Sequence, residues 1–491
     1  MKTMIFASAT ALATASAAVA GGHGDLPQSG NAWFAAGQSA VESAMAKTPN
    51  TNTAKNVIIL ISDGNGVGTN YASRLWAGQQ EGGFGDEYNQ PHELFPNLAL
   101  VKTYNVNAQT PDSAGTGTAM LAGIKTKAGI IGVNENVNRG DCATLEGNTV
   151  LSMNQIADIM GKATGVVSTA RLTHATPAAS YAKSVDRNFE YEVPDGCTQQ
   201  KDIASQLIDA MQAGWIDVAL GGGKRNFHAG EGGRRKDGQD LIAMAKEMGA
   251  QFTDDQATFD ALALDGTPIL GLFENSHMMY EADRTDEPSL AEMTAAAISA
   301  LQAAGGDNGF FLSVEAGRVD HANHAGNLAR VVQDQKAFAD AVAMADRMTD
   351  DADTLIVVTA DHEHAIAFNG YCGRGSNILG LCMGINGSGV EHTGEPLTAK
   401  DGKPYTVAGY LNGAGTVLRE DVNWVGARGD LTEEEATDLD YLQQALIPTS
   451  SETHSGEDVA VYAKGPWAHL FDGTIEQNVV FHVMHHALTA E

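Results

Sequence analysis

The chain has 491 residues and a formal net charge of −31 at pH 7, from 61 acidic and 30 basic side chains. A field of that sign repels nucleic acid and anionic membranes, so we expect neither as a partner. After the N-terminal segment no stretch approaches about 18 uninterrupted apolar residues, so no membrane-spanning helix is predicted.

The first residues have the pattern of a secretory signal peptide. MKTMIFASATALATASAAVAGG begins with one lysine, continues through a mildly apolar, alanine-rich stretch and reaches the small triplet Ala18-Val19-Ala20. This pattern predicts a signal peptide over residues 1–20, cleavage after Ala20, and a periplasmic or secreted protein. Residues 21–491 suffice for one large α/β domain with an insertion, or for roughly two to three domains.

The spacing of the four cysteines favours disulfides over a zinc ribbon. None of them forms C-x-x-C, and export favours oxidised pairs. Of the three pairings that four cysteines allow, the most local one is favoured. It joins Cys142 to Cys197 and Cys372 to Cys382.

Short runs rich in valine and isoleucine alternate with helix-like segments along the chain. The runs are NVIILIS, GVVSTARL, WIDVAL, FFLSV and TLIVVTA, and between them lie segments such as LSMNQIADIMGKA and PSLAEMTAAAISALQAA. This alternation predicts an α/β fold, a three-layer sandwich with a central, mostly parallel sheet flanked by helices. Each run leads into polar residues, which should converge at the carboxyl edge of the sheet, where ligands bind.

From about residue 371 to residue 429 the composition changes to glycine, asparagine and threonine, with few helical patterns. We interpret this stretch as a small inserted subdomain. The core is expected to resume with a helix in LTEEEATDLDYLQQAL, where Thr432 and Glu435 have the spacing of a capping box.

Asp63 follows the first apolar run, in ISDGNGVG. The glycines suggest a dinucleotide-binding loop, but Thr69 stands where G-x-G-x-x-G requires its third glycine, so that motif fails. Two interpretations of Asp63 remain open, a turn aspartate and a metal ligand.

The segment VEAGRVDHANHAGN favours a metal site. Asp320 and His324 are four residues apart and share one face of a helical turn, and Glu315 lies at the end of a strand. A carboxylate and an imidazole so placed can hold a divalent cation. An acidic helix N-terminus is the alternative, which would explain Asp320 but not His321 and His324.

Two further segments carry histidines. In TADHEHA, Asp361 and His362 are adjacent and are predicted in a strand-to-loop turn, whereas His364 is interpreted as a core or supporting residue because no H-E-x-x-H is present. In ETHSGEDVAVYAKGP, His454 alone would be structural. It gains significance because the site predicted around Asp320 and His324 needs a second nitrogen ligand.

Other candidates depend on the same context. Thr176, in THATP, offers a hydroxyl of the kind that suits magnesium, and Arg187 offers a planar fork that matches two phosphate oxygens. Taken singly, His174 and Arg187 are ordinary surface or core residues. Ser113, in TPDSAGTGTAM, is either a helix cap or a nucleophile, and the stretch alone favours the cap.

Taken together and in order, six segments resemble the alkaline phosphatase family over most of the mature chain. They are DGNGVGT, TPDSAGTGTAM, THATPAASYA, VEAGRVDHANH, TADHEHA and ETHSGEDVAVYAKGP. The resemblance implies a phosphomonoesterase that works through a phosphoserine at a site with two zinc ions and one magnesium ion. It also implies a homodimer in which the inserted, crown-like subdomain reaches the partner.

The resemblance also implies a role for each candidate residue. The ligands of one zinc ion would be Asp320, His324 and His454. Those of the second zinc ion would be Asp63, Asp361, His362 and the Ser113 oxygen. The magnesium ion would be bound by Asp63, Thr176 and Glu315. Ser113 would be the nucleophile and Arg187 the phosphate clamp, with Asp112 steadying Arg187. His174 and His321 would lie near the magnesium waters and the phosphate.

Calcium is left open by the resemblance. Phe273 and Glu274 match a calcium-binding stretch of mammalian relatives, but an acidic loop that supplies a ligand there is shortened here to NFHAGEGG. Two alternative functions are kept, a related metal-dependent phosphodiesterase and a non-catalytic periplasmic phosphate-binding protein. A sulfatase and a serine hydrolase are disfavoured because C-x-P-x-R and G-x-S-x-G are absent from the sequence.

Overall fold

A computed structural model describes residues 26–418, 423 and 428–490. The predicted signal peptide lies outside the described residues. The chain divides into two compact units between Thr48 and Pro49. In the first unit the structure describes the helix α1 (Ala32–Met45), which begins after Asn31, whose side chain accepts a hydrogen bond from the Trp33 amide.

The second unit contains the sheets and the remaining helices. The strands are β1 (Asn56–Ser62), β2 (Asn97–Lys102), β3 (Ala163–Arg171), β4 (Val218–Gly222), β5 (Gln251–Thr253), β6 (Ile269–Leu272), β7 (Phe310–Ala316), β8 (Thr354–Ala360), β9 (Glu363–His364), β10 (Ile366–Phe368), β11 (Ala408–Gly413), β12 (Ala445–Pro448), β13 (His454–Ser455), β14 (Val459–Lys464) and β15 (Thr474–Glu476). The helices are α2 (Val67–Gln80), α3 (Ser113–Ala122), α4 (Met153–Ile159), α5 (Ala175–Ala178), α6 (Ile203–Ala213), α7 (Leu241–Glu247), α8 (Gln256–Asp260), α9 (Leu290–Gly305), α10 (Arg318–Ala325), α11 (Leu328–Met348), α12 (Glu433–Ala436) and α13 (Val479–Thr489).

A ten-stranded sheet has the order β15-β2-β14-β8-β1-β7-β3-β4-β6-β5. Only β14 runs antiparallel to its neighbours, β8 and β2, among the described strands of this sheet. The other neighbouring pairs are parallel. The predicted mostly parallel sheet is therefore confirmed, and all five of the apolar runs form strands in it.

Both faces of the sheet are covered. In β1, Val57, Ile59 and Ile61 join an apolar cluster with side chains of α3, α6 and α13, whereas Ile58 and Leu60 join a second cluster with α9 and α11. Complete burial of such a side chain contributes about 1.5–3 kcal/mol. Helices pack on each face of the sheet, which confirms the predicted sandwich. A ligand can therefore reach the sheet at the ends of its strands.

The small sheet differs from the sequence-based expectation. It has the order β10-β11-β12 and extends beyond the predicted insertion on both sides. The helix expected in LTEEEATDLDYLQQAL is the single turn α12, capped by Thr432 and Glu435 as predicted. After α12 the chain enters β12, which pairs with β11 in the small sheet. The boundaries of a separate subdomain stay a prediction.

The disulfides are the predicted ones. Cys142 pairs with Cys197 at a Cα–Cα distance of 5.5 Å, and Cys372 pairs with Cys382 at 4.8 Å. Within the described residues, no helix combines the length and the apolar character that crossing a membrane requires.

Candidate active site

Three adjacent strands bring carboxylates together at their carboxyl ends. Ser62, the last residue of β1, lies opposite the last residues of β7 and β8. Asp63 and Asp361 follow β1 and β8 directly, and Glu315 is the next-to-last residue of β7. All three side chains are buried. The in-register parallel pairing thus places acidic groups side by side although they are hundreds of residues apart in sequence.

This concentration of buried acid perturbs the pKa of each group. Burial, reinforced by the charges of Asp320 and Glu315, raises the pKa of Asp63 well above its ordinary value. Burial is also the main cause that raises the pKa of Glu315 to about 7, and burial with the Asp63 charge raises the pKa of Asp361 to about 7. Buried like charges of this kind are neutralised either by protons or by a bound cation.

The raised pKa values predict how the metal-free protein responds to pH. A carboxyl whose pKa is higher in the folded than in the unfolded chain holds more protons when folded, so stability falls as pH rises between the two values. We therefore expect the melting temperature of chelated protein to decrease from about pH 4.5 to about pH 7. Calorimetry of chelated and metal-loaded protein checks this, and a chelated protein that is more stable at pH 7 than at pH 5 would contradict it.

Asp320 forms the centre of a second group. It shares α10 with His324, whose Nε2 is 3.4 Å from Asp320 Oδ1, and His454 Nε2 is 3.2 Å from the same oxygen. The Nδ1 atoms of the two histidines face the backbone carbonyls of Glu452 and Pro111, at 2.6 and 3.0 Å. Each imidazole therefore donates through Nδ1, and the two Nε2 lone pairs, 3.0 Å apart, converge as metal ligands do.

His364 has the supporting role that the sequence suggests, but at the centre of this group. Its Nε2 is 2.9 Å from Asp320 Oδ1, and its Nδ1 bonds to the Glu452 carboxylate. Burial opposes protonation of His364, but the bonds to Asp320 and Glu452 outweigh burial and raise its pKa to about 10. A protonated His364 donates to Asp320 and orients it, and its ring lies within the candidate ligand group of Asp320.

Glu452 is a functional candidate that the sequence analysis missed. Glu452→Gln removes the charge that holds His364 protonated. Mutation of a residue that orients a metal ligand typically lowers metal affinity about 10–100-fold. We therefore expect zinc to bind about tenfold more weakly to this variant. Competition with a chromogenic chelator measures the change. Glu457→Gln, at an exposed glutamate of the same segment, is the control, and equal affinities of the two variants would contradict the role.

Ser113 lies beside Asp63 and His362. Its Oγ is 3.4 and 3.5 Å from the two carboxylate oxygens of Asp63 and 3.3 Å from His362 Nε2. The same Nε2 is 3.2 Å from Asp63 Oδ1 and 3.4 Å from Asp361 Oδ2. His362 Nδ1 donates to the carbonyl of Glu363 at 3.3 Å, so the lone pair of Nε2 points towards the carboxylates. The lone pair and the carboxylates repel each other, and a cation bound between them would remove this repulsion.

The N-terminus of α3 positions this serine. Asp112 caps the helix by accepting a hydrogen bond of 3.2 Å from the Gly115 amide, and Ser113 is the first helical residue. A helix N-terminus offers unpaired amide donors and a favourable dipole for an anion. Asp112 is therefore the residue that caps the helix, and the Ser113 hydroxyl is not needed as the cap.

A third group combines the oxygen atoms of Asp63, Glu315 and Thr176 with the imidazole of His174 beside them. Thr176 Oγ1 is 3.5 Å from Asp63 Oδ2, and Ser168 donates to one oxygen of Glu315. The other oxygen, Glu315 Oε1, is buried and has no hydrogen-bond partner. An unpaired, buried carboxylate oxygen beside a second carboxylate suits a hard cation such as magnesium. His174 lies within the same group as Asp63 and Glu315, closer than the sequence suggested.

Arg187 is held in place on two sides. Its Nη1 donates to Asp112 Oδ2 at 2.7 Å, and its Nη2 donates to His174 Nε2 at 3.0 Å. All candidates predicted from the sequence thus meet at one edge of the sheet. The residues that sequence reasoning missed near this edge are Glu452, His277, Arg171 and Arg318.

A parallel α/β sheet whose carboxyl edge carries three groups of metal-ligating residues beside a serine at a helix N-terminus defines a metal-dependent hydrolase. The alkaline phosphatase family model matches residues 54–490. The chain therefore belongs to the alkaline phosphatase family. It hydrolyses phosphate monoesters, which excludes the non-catalytic alternative.

Individual relatives agree. The chain is 40% identical over 488 residues to an alkaline phosphatase of Gadus morhua, covering 94% of this chain and 97% of that protein. It is 39% identical over 462 residues to the tissue-nonspecific isozyme of Homo sapiens, covering 89% and 84%. The alkaline phosphatase of the Antarctic bacterium TAB5 shares the fold, with a TM-score of 0.62, 24% identity and coverage of 90% and 99%. That of Thermus thermophilus does so with a TM-score of 0.64, 24% identity and coverage of 91% and 94%.

Proposed function

We propose that this phosphatase works through a phosphoserine formed on Ser113 at a site for two zinc ions and one magnesium ion. The observation that carries the proposal is the position of Ser113 Oγ, within 3.5 Å of both Asp63 and His362. A nucleophile that shares a cation with its neighbours is activated without a separate general base.

The donor atoms of the three groups support the choice of metals. Nitrogen-containing sets suit zinc and an all-oxygen set suits magnesium. The ligands that we propose are Asp320, His324 and His454 for one zinc, Asp63, Asp361, His362 and Ser113 for the second, and Asp63, Glu315 and Thr176 for magnesium. Bound zinc lowers the pKa of a coordinated oxygen and stabilises the attacking and leaving oxygens of an in-line displacement.

In the mechanism, Ser113 Oγ attacks phosphorus and the bond to the alcohol oxygen breaks on the opposite side. Arg187 and the amide groups at the start of α3 stabilise the equatorial oxygens. Water then hydrolyses the phosphoserine from the side that the alcohol has left. A metal analysis combined with monoester and diester assays between about pH 7 and pH 11 tests the proposal, because diesters that react as fast as monoesters would favour the phosphodiesterase alternative.

Arg187→Lys should lower kcat/KM for a monoester by about ten- to a hundredfold. Asp112 and His174 hold the guanidinium so that its remaining donors form a fork, which a lysine ammonium cannot reproduce. Steady-state kinetics and the inhibition constant of inorganic phosphate measure the loss. Arg139→Lys is the control, since Arg139 pairs with Asp186 at the surface, and a change in both variants would contradict the clamp.

The resemblance leaves calcium open, but the surroundings of Phe273 and Glu274 argue against a bound calcium ion. Near Phe273 and Glu274 the carboxylate of Glu287 is buried, and its Oε2 has no hydrogen-bond partner. Arg284 already donates to Glu287 Oε1 at 2.9 Å and supplies positive charge there. We therefore expect added calcium to leave the melting temperature unchanged, which calorimetry can check.

We also propose an exported homodimer. Two disulfides suit an oxidising compartment. On the small sheet, Leu411, Leu446 and Ile447 are 52, 54 and 47% exposed, an apolar surface of the kind that a partner subunit covers. Size-exclusion chromatography with light scattering tests the dimer and would show a monomer if the proposal is wrong.

A further inference from the structure

The glycine-rich loop after β1 encloses a carboxylate of the protein itself. Its sequence, DGNGVGT, fails as a dinucleotide-binding motif because Thr69 stands in place of the third glycine. The loop nevertheless leads into the helix α2, whose N-cap residue Gly66 provides no side-chain cap. A loop of this kind before a helix is a common binding position for an anion. Here the carboxylate of Glu363, from β9, takes that position.

Three hydrogen-bond donors surround this carboxylate. Glu363 Oε2 accepts a bond of 2.8 Å from the Gly68 amide. Glu363 Oε1 accepts bonds of 2.8 Å from Thr69 Oγ1 and of 3.1 Å from the His364 amide. Gly68 and Thr69 lie in the first turn of α2, where amide groups have no partner within the helix and the helix dipole favours negative charge. Glu363 is only 5% exposed, so it caps α2 from inside the protein.

Two glycines of the loop are needed for its close contact with β9. A Cβ atom on Gly66 would lie 2.3 Å from Glu363 Oε2, and a Cβ atom on Gly64 would lie 2.4 Å from His364 Nε2. Both distances are too short for non-bonded heavy atoms. The loop can therefore lie directly on β9 only because these two positions carry no side chain. The alternate glycines that suggest a nucleotide-binding loop are explained by this internal packing.

The contact joins the two loops that carry the proposed ligands of the second zinc ion. Asp63 begins the glycine-rich loop. Asp361 and His362 directly precede Glu363. The Gly64 amide also donates to Asp361 Oδ1 at 3.0 Å, which gives a second link between the loops. Strand pairing fixes the ends of β1 and β8 but not the residues beyond them, so contacts between the loops determine how far apart these ligands lie.

We propose that Glu363 is a positioning residue, which caps α2 with its carboxylate and thereby holds Asp63 at the distance from Asp361 and His362 that the second zinc ion requires. The proposal rests on the zinc site of the proposed function. Glu363 belongs to none of the groups of potential metal ligands found among the described residues, since α2 and its own strand occupy both of its oxygens. It therefore acts through its neighbours and not as a ligand.

Zinc binding by the metal-free, full-length protein tests the proposal. Glu363→Gln keeps the shape of the side chain but turns an amide NH2 group toward a donor. We expect the product of the two zinc dissociation constants to rise about tenfold, as for other residues that orient metal ligands. Competition with a chromogenic chelator measures it. Thr69→Val removes one of the three donors and should raise the product in the same direction, whereas Thr69→Ser keeps the hydroxyl and should restore it.

Glu93→Gln is the matched control. Glu93 also holds α2, by accepting bonds of 3.0 Å from Asn70 Nδ2 and of 2.8 Å from Arg74 Nη1, but it does so from the segment before β2. This variant should lower the melting temperature and leave zinc affinity unchanged. Unchanged zinc affinity in Glu363→Gln, or an equal loss in Glu93→Gln, would overturn the proposal. Should Glu363→Gln fail to fold, the comparison of Thr69→Val with Thr69→Ser decides, because equal affinities of these two variants would also overturn it.

A double mutant and a ligand variant complete the test. Thr69→Val should cost less zinc affinity in the Glu363→Gln background than alone, because the bond between the two side chains is already weakened. Fully additive losses would contradict the role of this bond. Asp361→Asn is expected to lose one zinc ion. If it keeps both, the proposed second zinc site is wrong; if it loses one while Glu363→Gln changes nothing, only the role of Glu363 is wrong.

Discussion

Ser113→Ala should keep its bound metal ions and lose monoester turnover by several orders of magnitude, at least about 10³-fold. The other proposed ligands around this position, Asp63, Asp361 and His362, come from strand ends and do not depend on the serine for their positions. The Ser113 Oγ atom lies within 3.3–3.5 Å of Asp63 and His362. Its removal deletes the nucleophile and leaves the metal site otherwise intact.

Metal analysis and initial rates check both halves of this expectation. Acid quench after incubation with radiolabelled phosphate should trap label on wild-type protein and none on Ser113→Ala. Thr118→Ala removes a hydroxyl that donates to the Ala114 carbonyl and accepts from the Gly132 amide, away from Asp63 and His362, and should stay active. Unchanged turnover in Ser113→Ala would rule out the nucleophile, whereas loss of zinc together with activity would show a structural role instead.

Sequence alone could locate the acidic groups of the site because their positions follow from one rule. Parallel strands end at a common edge, so Asp63, Glu315 and Asp361 had to meet once their runs were recognised as strands. The pair Asp320 and His324 follows from helical spacing in the same way. These inferences need only the local pattern and the topology of the sheet.

Other parts depend on contacts that no spacing rule encodes. Glu452 bonds to His364 across 88 residues, and Arg318 meets Tyr280 because the loop after β6 folds against α10. A buried glutamate, an arginine and a tyrosine look ordinary in sequence, and their roles become visible when their partners are known. The same holds for α12, a single turn where the acidic, capped pattern predicted a longer helix.

Removal of the metal ions should abolish turnover, and zinc with magnesium should restore it. Two carboxylates at about 4 Å repel by about 4 kcal/mol at an effective dielectric constant near 20, and the site holds several such neighbours. In a chain of net charge −31, a metal-free site would also repel the phosphate dianion. The cations are thus needed both to hold the carboxylates together and to admit the substrate.

The raised pKa values add a second readout to the same experiment. Asp361 and Glu315 have pKa values of about 7 without metal, so chelated protein at about pH 6.5 holds protons that the returning ions must displace. Zinc added in a weakly buffered solution should release protons in step with recovered activity. Magnesium alone should not restore turnover, because the nitrogen ligands of His324 and His454 suit zinc. Full activity of chelated protein would contradict the metal requirement, and zinc uptake without proton release would show that Asp361 is not a zinc ligand.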